Sequence, residues 1–89
     1  MSDLDFHILG NGDPDKGRIM VNQLASRVAH ARAKHPVYAA SSMQAERVIR
    51  DELDEFKEAI AEEPWDRQLD ELMDVMATCV RFYNEEWKR

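Results

Sequence analysis

Apolar residues recur at intervals of three and four along most of this chain, and this period constrains the fold more than any other feature. Such spacing places the apolar side chains on one face of an α-helix. No comparable stretch alternates with a period of two, apart from an ambiguous segment near residues 4–9. The sequence therefore predicts an all-α fold with no substantial sheet. The three stripes are Ile19, Met20, Leu24, Val28 and Ala31; Ile49, Leu53, Phe56 and Ile60; and Leu69, Leu72, Met73, Met76, Val80, Tyr83 and Trp87.

Turn and capping signals separate these stripes. The turn-rich stretch from Asn11 to Gly17 supplies an aspartate that can cap the first helix, and the His35-Pro36 pair ends that helix. Ser41 followed by Gln44 is a capping-box pattern that starts the second helix. Pro64 suits the first turn of the third, where its missing N–H has no intrahelical partner. The predicted helices are about 15–34, 42–62 and 64–87, and residues 1–12 form an N-terminal arm.

At 89 residues the chain is expected to form a single domain, residues 1–89. Only a few residues around Pro64 join the second and third helices, so these two should be antiparallel neighbours. The third helix is apolar over too wide an arc for three helices to cover. We therefore expect an antiparallel bundle of three to four helices that is completed by oligomerisation, as a homodimer or a homotetramer.

The charge and composition exclude some partners. A net charge of -6 argues against a nucleic-acid polymer and against an anionic membrane surface. It does not exclude a nucleotide, because a bound cation can invert the local charge. Cys79 is the only cysteine, and the acidic N-terminus has no basic region followed by a long apolar run. These features fit a cytoplasmic protein.

The segment from Asp51 to Asp74 carries eleven acidic residues and only two basic ones. Two acid pairs within it have the same spacing: Glu52 with Glu55, and Glu71 with Asp74. Residues three apart are neighbours on a helix, so each pair offers two carboxylates to one point. Glu52 also falls inside the apolar arc of its helix, where an unpaired carboxylate is costly unless it is protonated, paired or metal-bound.

Two interpretations of these acids remain open. On antiparallel helices the two pairs can converge into an all-oxygen site for Mg²⁺ or Mn²⁺. Alternatively, all of the acids are solvated helix surface, and the protein is a non-catalytic helical module for oligomerisation or interaction. Glu52 inside the apolar arc favours the metal site, because an interaction module has no use for a carboxylate there.

The same residues carry a family resemblance. DELDE (residues 51–55) followed by ELMD (residues 71–74) resembles the EExxE…ExxD signature of the all-α NTP pyrophosphohydrolases, the MazG-like superfamily. The first acid of the signature is Asp51 here. The resemblance implies that the metal ligands are Glu52, Glu55, Glu71 and Asp74, and that the cofactor is Mg²⁺, with Mn²⁺ as a substitute.

The resemblance implies a function as well. The expected reaction is hydrolysis of an NTP or dNTP to the monophosphate and pyrophosphate, for example to remove non-standard nucleotides. Glu52 or Glu55 is then the candidate general base. Lys34 and Arg81 are candidates for triphosphate contacts, and Asn22 is a candidate for a contact with the base.

Overall fold

The computed structural model describes residues 1–88 and contains four α-helices: α1 (Asp3–Leu9), α2 (Pro14–Lys34), α3 (Ser42–Glu62) and α4 (Trp65–Tyr83). No strand occurs within these residues, which confirms the all-α prediction. No helix in the described part of the chain is both long enough and apolar enough to cross a bilayer.

The three long helices begin where the capping signals place them. Asp13 caps α2 by accepting from the backbone N–H groups of Asp15 and Lys16 at 3.0 and 3.3 Å. The Ser41 hydroxyl accepts from Gln44 N–H at 3.1 Å at the start of α3. Pro64 occupies the N-cap position of α4. Each of these groups satisfies or removes a backbone donor that would otherwise have no partner at a helix N-terminus.

Both chain termini differ from the expectation. The segment predicted as an N-terminal arm contains α1, which starts with a capping box between Ser2 and Asp5. At the other end α4 stops at Tyr83, and residues 84–87 form turns instead of the predicted continuation of the helix. Glu85 has φ of 56°, which ends the helical path, and Trp87 packs against Phe82 with ring centroids 6.0 Å apart.

A glycine allows α1 to pack on α2. A Cβ atom at Gly17 would collide with the backbone carbonyl of Phe6, so the two helices can approach this closely only where a side chain is missing. The Arg18 guanidinium strengthens the contact, since it lies over the Phe6 ring at 5.2 Å and donates to Asp3 at 2.9 Å. The N-terminal segment is therefore attached to the fold through the first turn of α2.

Helix α4 is the centre of the arrangement. Both α2 and α3 pack on α4, whereas the α2 and α3 backbones stay apart, since few if any of their Cα atoms lie within 8 Å of each other in the described residues. Contacts between α2 and α4 follow the same order along both helices, from Arg27 with Asp74 to Ala31 with Arg81, so these two helices run in the same direction. Helix α3 runs opposite to α4, and the three long helices therefore alternate in direction along the chain.

The folded chain is flat and has a thin core. Its extents are 38 × 34 × 20 Å, and its shortest dimension equals roughly two helix diameters. The radius of gyration is 14.2 Å, whereas a compact chain of this length would have about 12 Å. No large side chain within residues 1–88 is fully buried. The buried apolar residues are Val28, Ala39, Ala45, Ala59 and Ala77.

Candidate metal centre

Three carboxylates from two helices converge at the contact between α3 and α4. Glu52 and Glu55 lie one turn apart on α3, and Glu71 faces them from α4. One carboxylate oxygen from each of the three lies within 4.8 Å of the other two. The antiparallel packing of the two helices thus brings the acid pair on α3 against Glu71 on α4.

The carboxylates of this cluster are poorly compensated. One oxygen of Glu52 and one of Glu71 are buried without a hydrogen-bond partner. Burial, together with the negative charge of Glu55, raises the pKa of Glu52 to about 7. The pKa of Glu71 is also raised, first by burial and then by the charge of Asp74. The fold therefore holds like charges together at a point where protein donors leave two of the buried oxygens without a partner.

Asp74, the fourth predicted ligand, lies beside the cluster but is bound to another group. Its Oδ1 accepts a hydrogen bond from Nη1 of Arg27 at 2.6 Å. The same guanidinium donates from Nη2 to the Asp70 side chain at 3.1 Å. Asp74 is still close enough to the cluster for its charge to raise the pKa of Glu52. The structure thus brings Glu52, Glu55 and Glu71 together and places Asp74 at the edge of the group.

A cavity of about 620 Å³ opens next to the cluster, between α2, α3, α4 and the connector that joins α2 to α3. Glu52 and Asp74 line its acidic side. Its basic side includes residues of α2 and the connector, namely Arg27, His30, Lys34 and His35. The volume lies within the range of about 300–1,000 Å³ that is usual for small-molecule sites. Basic side chains thus share the lining of the cavity with two carboxylates.

The predicted substrate contacts fall into three different environments. Lys34 is exposed at the end of α2 and lines the cavity. Arg81 also lines it, but only 3% of Arg81 is exposed and its guanidinium already has partners. Asn22 is exposed on α2 and does not line the cavity.

Arg81 is fixed by groups from three parts of the chain. Its Nε donates to Glu86 at 2.9 Å and its Nη1 donates to the carbonyl of Ala31 at 3.3 Å. The guanidinium lies over the Tyr38 ring at 4.7 Å. Glu86 also accepts from Arg32 at 2.7 Å, and the hydrogen bond from Arg32 is the main reason that the pKa of Glu86 is lowered. These contacts indicate that Arg81 joins α4, α2 and the C-terminal turn.

Sequence reasoning did not identify Arg27, although it has the most direct contact with a candidate ligand. Arg27 lies on α2 between Leu24 and Val28, at the edge of the apolar stripe. A cation at that position is a signal for a partner on a neighbouring helix. The partner itself, 47 residues further along the chain, could not be read from the sequence because it depends on how α2 packs against α4.

The donor set of the cluster fits a hard divalent cation. All of the candidate ligands are carboxylate oxygens, which Mg²⁺ and Mn²⁺ prefer and which zinc in structural sites rarely uses alone. The two buried oxygens without partners are acceptors that such a cation would satisfy. An unpaired buried acceptor is costly to keep, so its presence on both helices favours a ligand between them.

Comparisons with protein-family models, curated proteins and solved structures give no match for this chain.

Proposed function

We propose that this protein is a metal-dependent nucleotide pyrophosphohydrolase that cleaves an NTP or dNTP to the monophosphate and pyrophosphate. The observation that carries the proposal is the convergence of Glu52, Glu55 and Glu71 from two helices, with buried oxygens that lack partners. The resemblance of residues 51–55 and 71–74 to the MazG-like signature supplies the reaction. Membership of that superfamily is part of the proposal.

The three glutamates, joined by Asp74, would hold the cation, with Mg²⁺ as the cofactor and Mn²⁺ as a substitute. When bound, the cation neutralises charge on the phosphates and makes a bound water more acidic. The carboxylates also repel a free triphosphate, so the site favours an anion that arrives together with its cation.

The chain's own residues would accept the proton and bind the rest of the substrate. In the hydrolysis, the water oxygen bonds to a phosphorus of the α–β anhydride, the bridging P–O bond breaks, and the water's proton passes to a carboxylate. Glu52 is better placed than Glu55 to accept that proton, because Glu52 lines the cavity.

The basic side of the cavity is suited to the rest of the substrate. Lys34 is exposed at the rim and can follow a flexible phosphate chain as a point charge. Arg27 offers a planar group that matches two phosphate oxygens. Arg81 supports the wall of the cavity from behind, since its donors are directed to Glu86 and Ala31.

Self-association is the second part of the proposal. The protomer exposes 6462 Å², whereas a folded monomeric protein of this mass would expose about 5,400 Å². The excess of roughly 1,100 Å² exceeds the ~800 Å² that each partner buries in a standard interface. Trp65, Leu69 and Tyr83 recur at helical spacing on α4 and are 70%, 43% and 86% exposed. We therefore propose a homodimer or homotetramer that covers this face of α4.

The decisive experiment measures pyrophosphate release from a panel of nucleoside triphosphates with Mg²⁺. Glu71→Gln should lower the rate by roughly a hundredfold or more, because loss of even an outer partner of a metal ligand costs 10–100-fold. Glu62→Gln is the matched control at the exposed end of α3 and should leave the rate unchanged. Equal, small effects of the two substitutions would reject the site and favour the non-catalytic interaction module.

The assembly is tested separately by light scattering at micromolar concentration. The unmodified protein should have at least twice the protomer mass, and Leu69→Glu should shift it toward the monomer, because a carboxylate would be buried in the interface. A stable monomer of the unmodified protein would contradict this part of the proposal without affecting the metal centre.

A further inference from the structure

Arg27 donates hydrogen bonds to two aspartates of α4, Asp70 and Asp74. Its Nη1 donates to Asp74 Oδ1 at 2.6 Å and to the Asp70 carbonyl at 3.3 Å, while its Nη2 donates to Asp70 Oδ1 at 3.1 Å. The side chains of Arg27 and Asp74 are only 31% and 33% exposed. Charge-assisted contacts of this geometry are stronger than those of freely solvated pairs. The Asp70 contacts hold the guanidinium in place against Asp74.

The position of Asp74 shows a consequence of this contact. Asp74 follows Glu71 by one turn of α4, so its backbone places it beside the three-glutamate cluster. Its carboxylate is nevertheless absent from the oxygens that lie within 4.8 Å of one another. Arg27 approaches from α2 and binds the Asp74 carboxylate on that side. Arg27 and a cation between the glutamates would thus compete for the same acidic group.

We propose that Arg27 is a latch that competes with a divalent cation for Asp74 and gives Asp74 up when an anionic phosphate enters the cavity. This inference rests on the proposed metal centre. Arg27 lines the cavity as well as contacting Asp74, so the guanidinium can exchange one partner for the other without leaving the site. A phosphate group offers Arg27 a planar, bidentate contact with more negative charge than one carboxylate.

The latch links the binding of cation and anion. In the free protein three glutamates are available to a cation, and Asp74 is engaged by Arg27. A phosphate that draws Arg27 away releases a fourth carboxylate, so the cation binds more tightly. By reciprocity, the cation then favours the phosphate by the same factor. The site would distinguish a cation–phosphate pair from a free cation.

The test measures Mn²⁺ affinity without any nucleotide, by electron paramagnetic resonance of the unbound ion. Arg27→Met should bind Mn²⁺ about tenfold more tightly than the unmodified protein, within the usual range of coupling between sites. Asp74→Asn should change affinity less than about twofold when Arg27 is present, because Asp74 is then already engaged. In the Arg27→Met background the same substitution should remove the gain.

Arg67→Met is the matched control for charge. Arg67 lies on α4 with its Nη2 3.8 Å from Glu71, so its loss removes one positive charge beside the cluster without freeing Asp74. Arg67→Met should change the Mn²⁺ affinity by about twofold, the size expected for an exposed ion pair. Arg27→Lys serves as a second variant if Arg27→Met fails to fold. Lysine keeps the positive charge but cannot hydrogen-bond to both aspartates in the same way. We therefore expect Arg27→Lys to bind Mn²⁺ more tightly than the unmodified protein and less tightly than Arg27→Met.

Two results would overturn the latch. If Arg27→Met binds Mn²⁺ no better than Arg67→Met does, or binds it more weakly, Arg27 orients Asp74 as a ligand and does not compete for it. If Asp74→Asn weakens binding equally in both backgrounds, the two residues act independently. Absence of Mn²⁺ binding in every variant, including the unmodified protein, would reject the metal centre itself and the latch with it.

Discussion

Helix α4 carries two ionisable groups whose surroundings differ, one of them buried (Arg81) and the other partly buried (Glu71). Arg81, near its C-terminal end, is 3% exposed and has Glu86, the Ala31 carbonyl and the Tyr38 ring around it. Glu71, nearer the N-terminal end, faces two other glutamates and has a buried oxygen without a partner. A buried charge that is fully paired supports a structure, whereas an unpaired one indicates a position for a ligand.

The two regions also differ in what surrounds the charge. Around Arg81, the Glu86 carboxylate approaches from the C-terminal turn and the Ala31 carbonyl approaches from α2, and the Tyr38 hydroxyl is hydrogen-bonded to Thr78 at 2.6 Å. Around Glu71, the nearest charges have the same sign, apart from Arg67 at the rim. The first region should therefore contribute to stability with or without a divalent cation, as long as Glu86 is ionised, and the second should do so only when a cation is present.

The largest expected effect is on the region around Arg81, where the buried charge is paired. Arg81→Met keeps most of the side-chain volume but removes the cation, and we expect a loss of about 3 kcal/mol in the free energy of unfolding, at the lower end of the range for a broken buried pair. Glu86 retains Arg32, which limits the loss. Denaturant melting measures the change, and Mn²⁺ affinity should stay constant.

A matched control for that substitution is Arg50→Met, which breaks the exposed pair between Arg50 and Glu46 on α3. Exposed pairs of this spacing contribute about 0.3–0.5 kcal/mol. If Arg81→Met lowered the free energy of unfolding as little as Arg50→Met does, the Arg81 contacts would be no stronger than surface ion pairs. The contrast between the regions around Arg81 and Glu71 would then fail.

The next largest effect is on the region around Glu71, where like charges lie close together. Mg²⁺ at a hundredfold excess over its dissociation constant should stabilise the protein by about 2.7 kcal/mol, because the folded state binds the cation and the unfolded chain does not. Thermal melting in Mg²⁺ and in EDTA measures the difference. Glu71→Gln should abolish the shift, and Arg81→Met should retain it. A melting temperature that is the same in Mg²⁺ and EDTA would instead support the interaction module.

Much of this arrangement could be read from local sequence signals. The apolar period predicts the three long helices, and Asp13, Ser41 and Pro64 mark where they start. The inward position of Glu52 and the spacing of the acids predict that carboxylates from α3 and α4 lie close together. These features depend on residues a few positions apart, which is why a pattern can reveal them.

The parts that could not be predicted depend on contacts between distant segments. Helix α1 lies in a segment of only 12 residues, and its position depends on the close approach of Phe6 to Gly17. The end of α4 at Tyr83 follows from the positive φ of Glu85 and from the contacts of Glu86 with Arg32 and Arg81. The engagement of Asp74 by Arg27 is of the same kind, since the packing of α2 on α4 decides it.

The smallest expected effect concerns the charge on Glu52 in the metal-free protein. Glu52→Gln should stabilise the protein in EDTA at pH 8 by about 1 kcal/mol, or roughly 4–8 °C in melting temperature. The gain is well below the full pKa shift because Glu52 is only half-buried. The pKa of Glu52 rises from 4.5 to about 7 on folding, so the folded state favours the protonated carboxyl. The carboxylate therefore costs nothing below pH 4.5, and its cost grows up to pH 7 and is constant above it.

Glutamine imitates the protonated form, so the gain from Glu52→Gln should be present at pH 8 and absent at pH 4. Glu62→Gln, on the exposed end of the same helix, should show no gain at either pH. Saturating Mg²⁺ should reverse the sign at pH 8, because the cation then stabilises the unmodified protein more than the variant. A gain of equal size at both pH values would mean that it comes from packing, and that the crowding of charge around Glu52 does not distinguish this region from the one around Arg81.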